Sequence, residues 1–194
     1  LMTFIGGMPL LAAVGLIIAK VGTANFSEAM ASPVWHDEPG FAALVAILVA
    51  VAGFSKAAQF PFRLWLPDAM AAATPVSAYL HAAAVVKAGI YLIMRFSAFF
   101  HDVPTWQVLL IVVGLFTTCL GAFFALQQTD LKKLLAYSTV SQLGLITATV
   151  GVGTEFALSL ALLHTIAHAG FKSGLFMLMG IIDHQTGTRK IDRL

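Results

Sequence analysis

Charged residues are scarce in this chain of 194 residues. Only 10% of the positions are Asp, Glu, Lys or Arg, whereas 59% are hydrophobic and the mean hydropathy is +0.91. An ordinary soluble domain has about 25% charged residues, so this composition could not solvate the surface of a globule of this size. The sequence therefore excludes a soluble domain and predicts an all-α, polytopic transmembrane helix bundle or a piece of one.

The sequence also has little cysteine and no large excess of positive or negative charge. Cys119 is the single cysteine and lies in an apolar run, so the sequence has no disulfide framework and no Cys/His zinc pattern. Eleven Lys and Arg residues against nine Asp and Glu residues give a net charge of +2, which excludes a basic face for nucleic acid. We expect no metal, no cofactor and no nucleic-acid partner.

Six apolar stretches are long enough to cross the hydrocarbon core of a bilayer, which takes about 20 residues of helix. They predict a single transmembrane bundle over residues 1–194. The predicted spans lie near residues 3–19, 41–62, 74–96, 106–126, 134–152 and 156–182. The chain begins at Leu1 without an initiator methionine or a signal-peptide n-region, so we expect a fragment of a larger subunit.

The loops predict the orientation through the positive-inside rule. One side would hold only Lys20 and Arg95, and the other would hold most of the basic residues. Those on the basic side are Arg63, Lys132, Lys133, Arg189, Lys190 and Arg193. The longest loop, residues 21–40, is on the side with few positive charges and carries carboxylates. We therefore predict that this loop is external and that both chain ends are cytoplasmic.

Basic residues interrupt the apolar runs, although a lysine at bilayer depth costs about 3 kcal/mol on insertion scales. All nine carboxylates, by contrast, lie in loops or near the ends of spans. The interior titratable groups are therefore all bases, and an acidic partner would lie outside this chain. These interior bases are Lys56, His81, Lys87, His164, His168 and Lys172.

His164, His168 and Lys172 are spaced by four residues, so on a helix they would form one ladder about 12 Å long. Imidazole titrates near neutrality and can accept a proton on one nitrogen while it donates from the other, which favours a proton relay. The alternative is that each histidine is a hydrogen-bonded packing residue. A zinc site is disfavoured, because His-Thr-Ile-Ala-His lacks the glutamate of a zincin helix.

Lys56 precedes a predicted break in the second span. Pro61 has no N–H, so the carbonyl of Ala57 would lose its helical partner beside Lys56. Two later prolines repeat the effect, which predicts that residues 60–77 are not one continuous helix. Interrupted spans are where transporters place ion sites. The alternative is that Lys56 snorkels to the interface from the end of its apolar run.

The third and fifth spans carry less regular polar groups. Ser77 and His81 are four residues apart and share a helix face, whereas Lys87 is about 120° further round a continuous helix and need not face the same cavity. Polar residues cluster at 137–142, early in the fifth span, where hydroxyl groups can bond across helices or hold water. We interpret that cluster as helix packing.

Several long motifs follow one another in a recognisable order. At and after the predicted break they are KAAQFPF at 56–62, WLPDAM at 65–70 and TPVSAYLH at 74–81. Nearer the end of the chain they are DLKKLLAYST at 130–139 and HTIAHAGFK at 164–172. Together these motifs resemble the proton-conducting antiporter-like subunits of respiratory complex I and of Mrp cation/proton antiporters.

The tail GIIDHQTGTR at residues 180–189 resembles the A subunit of Mrp-type Na+/H+ antiporters in particular. The resemblance implies an inverted-repeat antiporter-like fold with one interrupted helix, on which Lys56 matches the family's central lysine. It also implies that the other interior bases continue the proton pathway from Lys56. The family's acidic partner of this lysine belongs to a helix outside the 194 residues, and Ala167 replaces an asparagine of the family's His-rich helix.

The resemblance implies a multi-pass subunit of a hetero-oligomeric antiporter in the cell membrane. Its partners would be other membrane subunits and the lipid bilayer, and it would move protons and Na+ without being an enzyme. An alternative is a proton-pumping membrane subunit of complex I or of a membrane hydrogenase, where the same helices serve a redox enzyme. A third possibility is a membrane scaffold that only anchors its partners.

Overall fold

The computed structural model describes residues 2–71, 74–82 and 84–193, and these residues form helices joined by turns without a β-strand. This architecture confirms the all-α prediction. Numbered in chain order, the α-helices are α1 (Met2–Val21), α2 (Phe26–Met30), α3 (Val34–Asp37), α4 (Pro39–Lys56), α5 (Trp65–Asp68), α6 (Thr74–Ala82), α7 (Val85–Phe100), α8 (Pro104–Leu126), α9 (Leu131–Gly151) and α10 (Glu155–Thr186).

Five of the described helices, α1, α4, α8, α9 and α10, are long and apolar enough to cross a membrane. Each lies close to one of the predicted spans. The predicted third span, residues 74–96, is instead divided into α6 and α7. The helix does not continue between them because Ala84 has φ −106° and ψ −90°, outside the helical region.

The second span is interrupted where the prolines predict. α4 ends at Lys56, earlier than the predicted end at residue 62, and residues 57–61 form a turn. The chain then continues as short pieces, namely a 3₁₀ turn at Phe62–Leu64, then α5, then a 3₁₀ turn at Ala69–Ala71. Because proline cannot donate a backbone hydrogen bond, no long helix forms in this described stretch.

α9 forms the centre of the bundle, since it is the most buried of the five long helices. It packs most extensively against α8 and also contacts α7 and α10. A Cβ atom on Gly144 of α9 would lie 2.6 Å from the carbonyl oxygen of Gly114 on α8. Only residues without a side chain allow the two backbones to approach this closely, as is common between membrane helices.

The segment between α1 and α4 folds over one end of the bundle, and we call residues 22–38 the aromatic cap. Trp35 in α3 is buried, and its Nε1 donates to the carbonyl of Ala29 at 2.8 Å. Its ring packs against Phe41 and Phe100, with centroids 5.6 and 5.3 Å away. The cap corresponds to the loop that the charge pattern predicts to be external.

Basic residues gather at the opposite end of the bundle. A pocket of about 300 Å³ there is lined by Asp68, Asp130, Lys132, Lys133 and Arg189, with Pro67 and Met70. The chain after α10 is held against the start of α9, because the backbone N–H of residue 131 donates to the carbonyl of residue 189 at 3.0 Å. The described positive residues of several loops therefore share one end, as the predicted orientation requires.

Candidate functional site

One face of α10 is polar and buried. His168 is fully buried and Lys172 is 3% exposed, and His164 is half-buried on the same face. Leu163 and Ile166, on other faces of the helix, are exposed. The four-residue spacing keeps the three bases on one side of the helix. The three bases point into the bundle and not outward.

α7 brings a second basic group to this face. Lys87, in the first turn of α7, has its Nζ 2.8 Å from Nδ1 of His168. When Lys87 is an ammonium ion, His168 accepts at Nδ1 and carries its own proton on Nε2. The spacing along a continuous third span did not predict this contact, because the interruption before α7 resets the phase of the helix.

His164 is bonded to a neutral group of α9. Its Nε2 lies 2.8 Å from Oε1 of Gln142. Since an amide oxygen can only accept, the imidazole carries a proton on Nε2 in this arrangement, and Nδ1 is the position at which a further proton would bind. The amide thereby fixes both the tautomer and the orientation of the ring.

Lys172 contacts the same helix nearer its start. Its Nζ donates to Oγ of Ser138, and to the carbonyl oxygen of Leu135 at 3.3 Å. Both acceptors are neutral, so polar protein groups solvate this ammonium without a carboxylate. We call the contact region of His164, His168 and Lys172 with α7 and α9 the basic seam.

Ser138 and Gln142 belong to the basic seam, although the sequence pattern of residues 137–142 favours helix packing. They are four residues apart and therefore lie on one face of α9, a spacing that could have identified them. The packing interpretation holds for Ser141 in the same cluster. Its hydroxyl donates across the helix pair to the carbonyl of Thr118 at 3.0 Å.

Lys56 lies at the break after α4. It is half-buried and forms no hydrogen bond or ion pair with another described residue. The carbonyl of Ala57, predicted to lose its helical partner, accepts from Nε2 of Gln59 at 3.0 Å. The carbonyl of Ser55 accepts from Nε1 of Trp65 at 3.1 Å. Side chains thus satisfy carbonyl groups that the interrupted helix leaves without backbone donors.

α7 connects the break with the basic seam. A Cβ atom on Gly89 would lie 2.5 Å from the backbone nitrogen of Ala57, so glycine is required for this approach of α7 to the break. Lys87 precedes Gly89 by two residues and therefore projects from the other side of α7. About half a turn of α7 separates the residue that approaches the break from the residue that contacts His168.

Comparison with known proteins identifies the family. Residues 1–194 match the transmembrane family described as "NADH:quinone oxidoreductase/Mrp antiporter, TM". The chain belongs to this family. It is 54% identical over 159 residues to the A subunit of the Na(+)/H(+) antiporter of Bacillus subtilis (strain 168), and the alignment covers 76% of this chain and 20% of that protein.

Two solved structures share the fold of this family member. The first is the structure of the Mrp complex from Dietzia sp. DQ12-45-1b, with 61% identity and a TM-score of 0.95, covering 97% of this chain and 21% of the matched chain. The second is the membrane-bound sulfane sulfur reductase, an archaeal respiratory membrane complex, with 31% identity and a TM-score of 0.86, covering 99% of this chain and 40% of the other. The resemblance to antiporter-like subunits is confirmed.

His81, the remaining predicted interior base, is on α6, which packs against α10. Its side chain lies outside the described residues, so the contacts of His81 stay a prediction. Ser77, four residues earlier on the same face, is buried.

Carboxylates take no part in the described interior of this family member. Ion pairs in the described ranges join Lys20 with Glu38 at 2.7 Å, His101 with Asp102 at 3.1 Å and Arg189 with Asp183 at 3.8 Å. All three lie toward the ends of the bundle, and none includes an interior base. Within the same ranges, no three His, Cys, Asp or Glu side chains are grouped as metal ligands would be.

Proposed function

We propose that this chain is the proton-conducting part of one subunit in a multisubunit Na+/H+ antiporter, and that protons pass through the six interior bases. These are Lys56, His81, Lys87, His164, His168 and Lys172. The contact between Lys87 and His168 carries the proposal, because it joins two titratable groups of different helices at 2.8 Å. Packing alone does not require two titratable groups at one contact, and such groups are costly inside a membrane.

The contact supports a simple proton transfer. A proton leaves Nζ of Lys87 and binds Nδ1 of His168, which becomes an imidazolium. The ring then releases the proton from Nε2 to water and is left neutral with its proton on Nδ1. Return of the ring to the Nε2-protonated tautomer frees Nδ1 for the next transfer. Neutral Lys87 accepts the next proton through water from the neighbourhood of Lys56.

Repulsion between neighbouring charges gives the movement its direction. His164, His168 and Lys172 are about 6 Å apart along the helix axis at each step. Like charges at that distance interact strongly away from bulk water. A proton that arrives on one base therefore displaces the proton of the next, and cation binding elsewhere in the complex would drive the first step.

The test is cation-driven proton movement by the complete complex. The native complex is purified, reconstituted into vesicles that contain a pH-sensitive dye, and loaded with acid. Adding Na+ outside should raise the internal pH, and choline should not. K+ in a parallel sample identifies the coupled cation. An intact complex that produces no pH change with Na+ or K+ would overturn the proposal.

A redox proton pump is the second candidate, favoured by the likeness to the sulfane sulfur reductase complex. The same purified sample separates the two candidates. Flavin and iron–sulfur absorption with substrate-driven acidification would support the redox pump. Absorption free of both groups together with Na+-driven exchange supports the antiporter. A scaffold would keep exchange unchanged when the interior bases are replaced.

We further propose that the aromatic cap is external and that the basic end is cytoplasmic, because most loop Lys and Arg residues lie at that end. Single cysteines replace Glu28 in the cap and Arg189 at the other end, in a Cys119→Ser background. A membrane-impermeant maleimide should label Glu28→Cys from outside and Arg189→Cys only in inverted vesicles. Labelling of both from the same side would contradict this orientation.

A further inference from the structure

Gln59 is a fully buried polar residue at the break after α4. Its backbone N–H donates to the carbonyl of Phe54 at 2.9 Å, and its side-chain Nε2 donates to the carbonyl of Ala57 at 3.0 Å. Gln59 therefore folds back over the last turn of α4, which is the turn that carries Lys56.

The other end of the same amide has no protein donor. Oε1 of Gln59 is buried and accepts no hydrogen bond from the described part of the chain. Buried side-chain oxygens in native proteins are bonded in the large majority of cases, either to protein or to ordered water. A donor to this oxygen is therefore expected at the break.

The backbone just before Gln59 is held in an unfavourable conformation. Ala58 has a φ of +52°, in the left-handed region that residues other than glycine avoid. Such conformations persist where the surrounding structure requires them, often at functional sites. Because Gln59 follows Ala58 directly, this conformation sets the position of the amide over the helix end.

Lys56 is the donor best placed to reach this oxygen. It lies in the same turn, is half-buried, and has no hydrogen bond or ion pair with another described residue. An ammonium has three N–H donors, and the carboxyl end of a helix favours a cation. We propose that Oε1 of Gln59 accepts a hydrogen bond from protonated Lys56, directly or through one water molecule, and so positions the charged lysine.

The inference rests on the proposed function, since it assumes that Lys56 titrates during transport. Few charged groups lie on the elements that pack against α4. α8 and residues 2–19 of α1, which pack against α4, contain no Asp, Glu, Lys, Arg or His. The titratable groups of the remaining neighbours are Lys87 bonded to His168, the exposed Tyr91, Arg95 over Phe26, Arg63 over Phe124, and Lys20, His36, Asp37 and Glu38 toward the aromatic cap.

Two substitutions at Gln59 should change the pH dependence of exchange in opposite directions. Gln59→Met removes the acceptor at similar length, which disfavours charged Lys56 and should move the alkaline limb of the profile about one pH unit lower. Gln59→Glu supplies a charged acceptor and should move the limb higher. A packing defect would instead lower the rate or the amount of complex at every pH.

Gln128→Met is the matched control. Gln128 also folds back on a helix end, where its Nε2 donates to the carbonyl of Phe124 at 3.1 Å, so this variant should keep the wild-type profile. An unshifted profile in assembled Gln59→Met would overturn the inference, as would an unshifted Gln59→Glu if the Met variant does not assemble. Failure of both to assemble would make Gln59 purely structural. Absence of exchange with both Na+ and K+ in the wild-type complex would instead overturn the proposed function.

Discussion

The basic seam and the break after α4 hold their basic residues in different ways. In the seam, His164 and Lys172 are bonded to neutral groups of α9, and His168 is bonded to Lys87. At the break, Lys56 has no such bond to a described residue, and the nearby polar side chains bond backbone carbonyls instead.

Because of this difference, the bases of the seam are held in one geometry by neighbouring helices, whereas Lys56 is not. A base that is hydrogen-bonded to a neighbouring helix keeps one geometry, so its removal disturbs its partners. Lys56 forms no bond to another described helix, so a change in its charge leaves the contacts between these helices in place. We therefore expect substitutions at the break to affect transport more than assembly, and substitutions that remove a hydrogen bond from the seam to affect both.

The largest effect is expected at Lys56. Lys56→Ala should reduce Na+-driven exchange by at least about 100-fold, since a required proton carrier is lost, while the complex assembles normally. Lys56→Arg should not restore exchange, because guanidinium stays protonated at any accessible pH. Exchange is measured in vesicles with the pH-sensitive dye, and assembly is measured by native gel.

Lys20→Ala is the control for this pair, since Lys20 also lies in the last turn of a long helix but is paired with Glu38 near the aromatic cap. It should exchange like the wild type. Wild-type exchange in either assembled Lys56 variant would show that Lys56 only snorkels to the membrane interface. It would also contradict the proposal that the break is more important for transport than for assembly.

A smaller effect is expected at Ser138. Ser138→Ala removes one acceptor from Lys172 and leaves the carbonyl of Leu135. Hydrogen bonds to charged groups contribute about 1.5–3 kcal/mol, so with one acceptor retained we expect a loss of exchange of about tenfold. Ser173→Ala, on a more exposed part of α10, should change nothing. Equal losses of exchange in the two variants would show that Ser138 has no specific role in the seam.

The smallest effect is expected at Gln142. Gln142→Leu removes the partner of His164, but that ring is only half-buried, so water can replace the amide. A neutral hydrogen bond is worth about 1 kcal/mol, which predicts a loss of about three- to fivefold in the exchange rate. A loss as large as that of Lys56→Ala would show that the tautomer of His164 is decisive, and the order of the two regions would have to be revised.

The local sequence pattern predicts the break after α4 and the common face of the bases on α10. Pro61 predicts the end of α4 because proline has no N–H, and four-residue spacing predicts the common face of the α10 bases. The division between α6 and α7 was missed because Ala82, Ala83 and Ala84 favour helix and include no proline. The contact of Lys87 with His168 followed from that division and could not be derived from spacing.

The sequence also does not predict which side chains form hydrogen bonds between helices. From the sequence alone, Ser138 and Gln142 resemble packing residues. The role of a hydroxyl or amide group depends on which residue of the facing helix it contacts. The aromatic cap was predicted as a loop, although residues 26–30 and 34–37 form short helices there. Tertiary packing of Trp35 organises these turns, which are too short to be stable alone.

His168→Gln tests the central claim most directly. A glutamine oxygen can still accept the hydrogen bond from Lys87, but an amide cannot carry a proton at accessible pH. We predict normal assembly and a loss of exchange of at least about 100-fold, whereas His184→Gln, at an exposed position near the end of α10, should behave like the wild type. Exchange of His168→Gln within about twofold of the wild type would contradict the account, because it would make the basic seam a packing contact and not a path for protons.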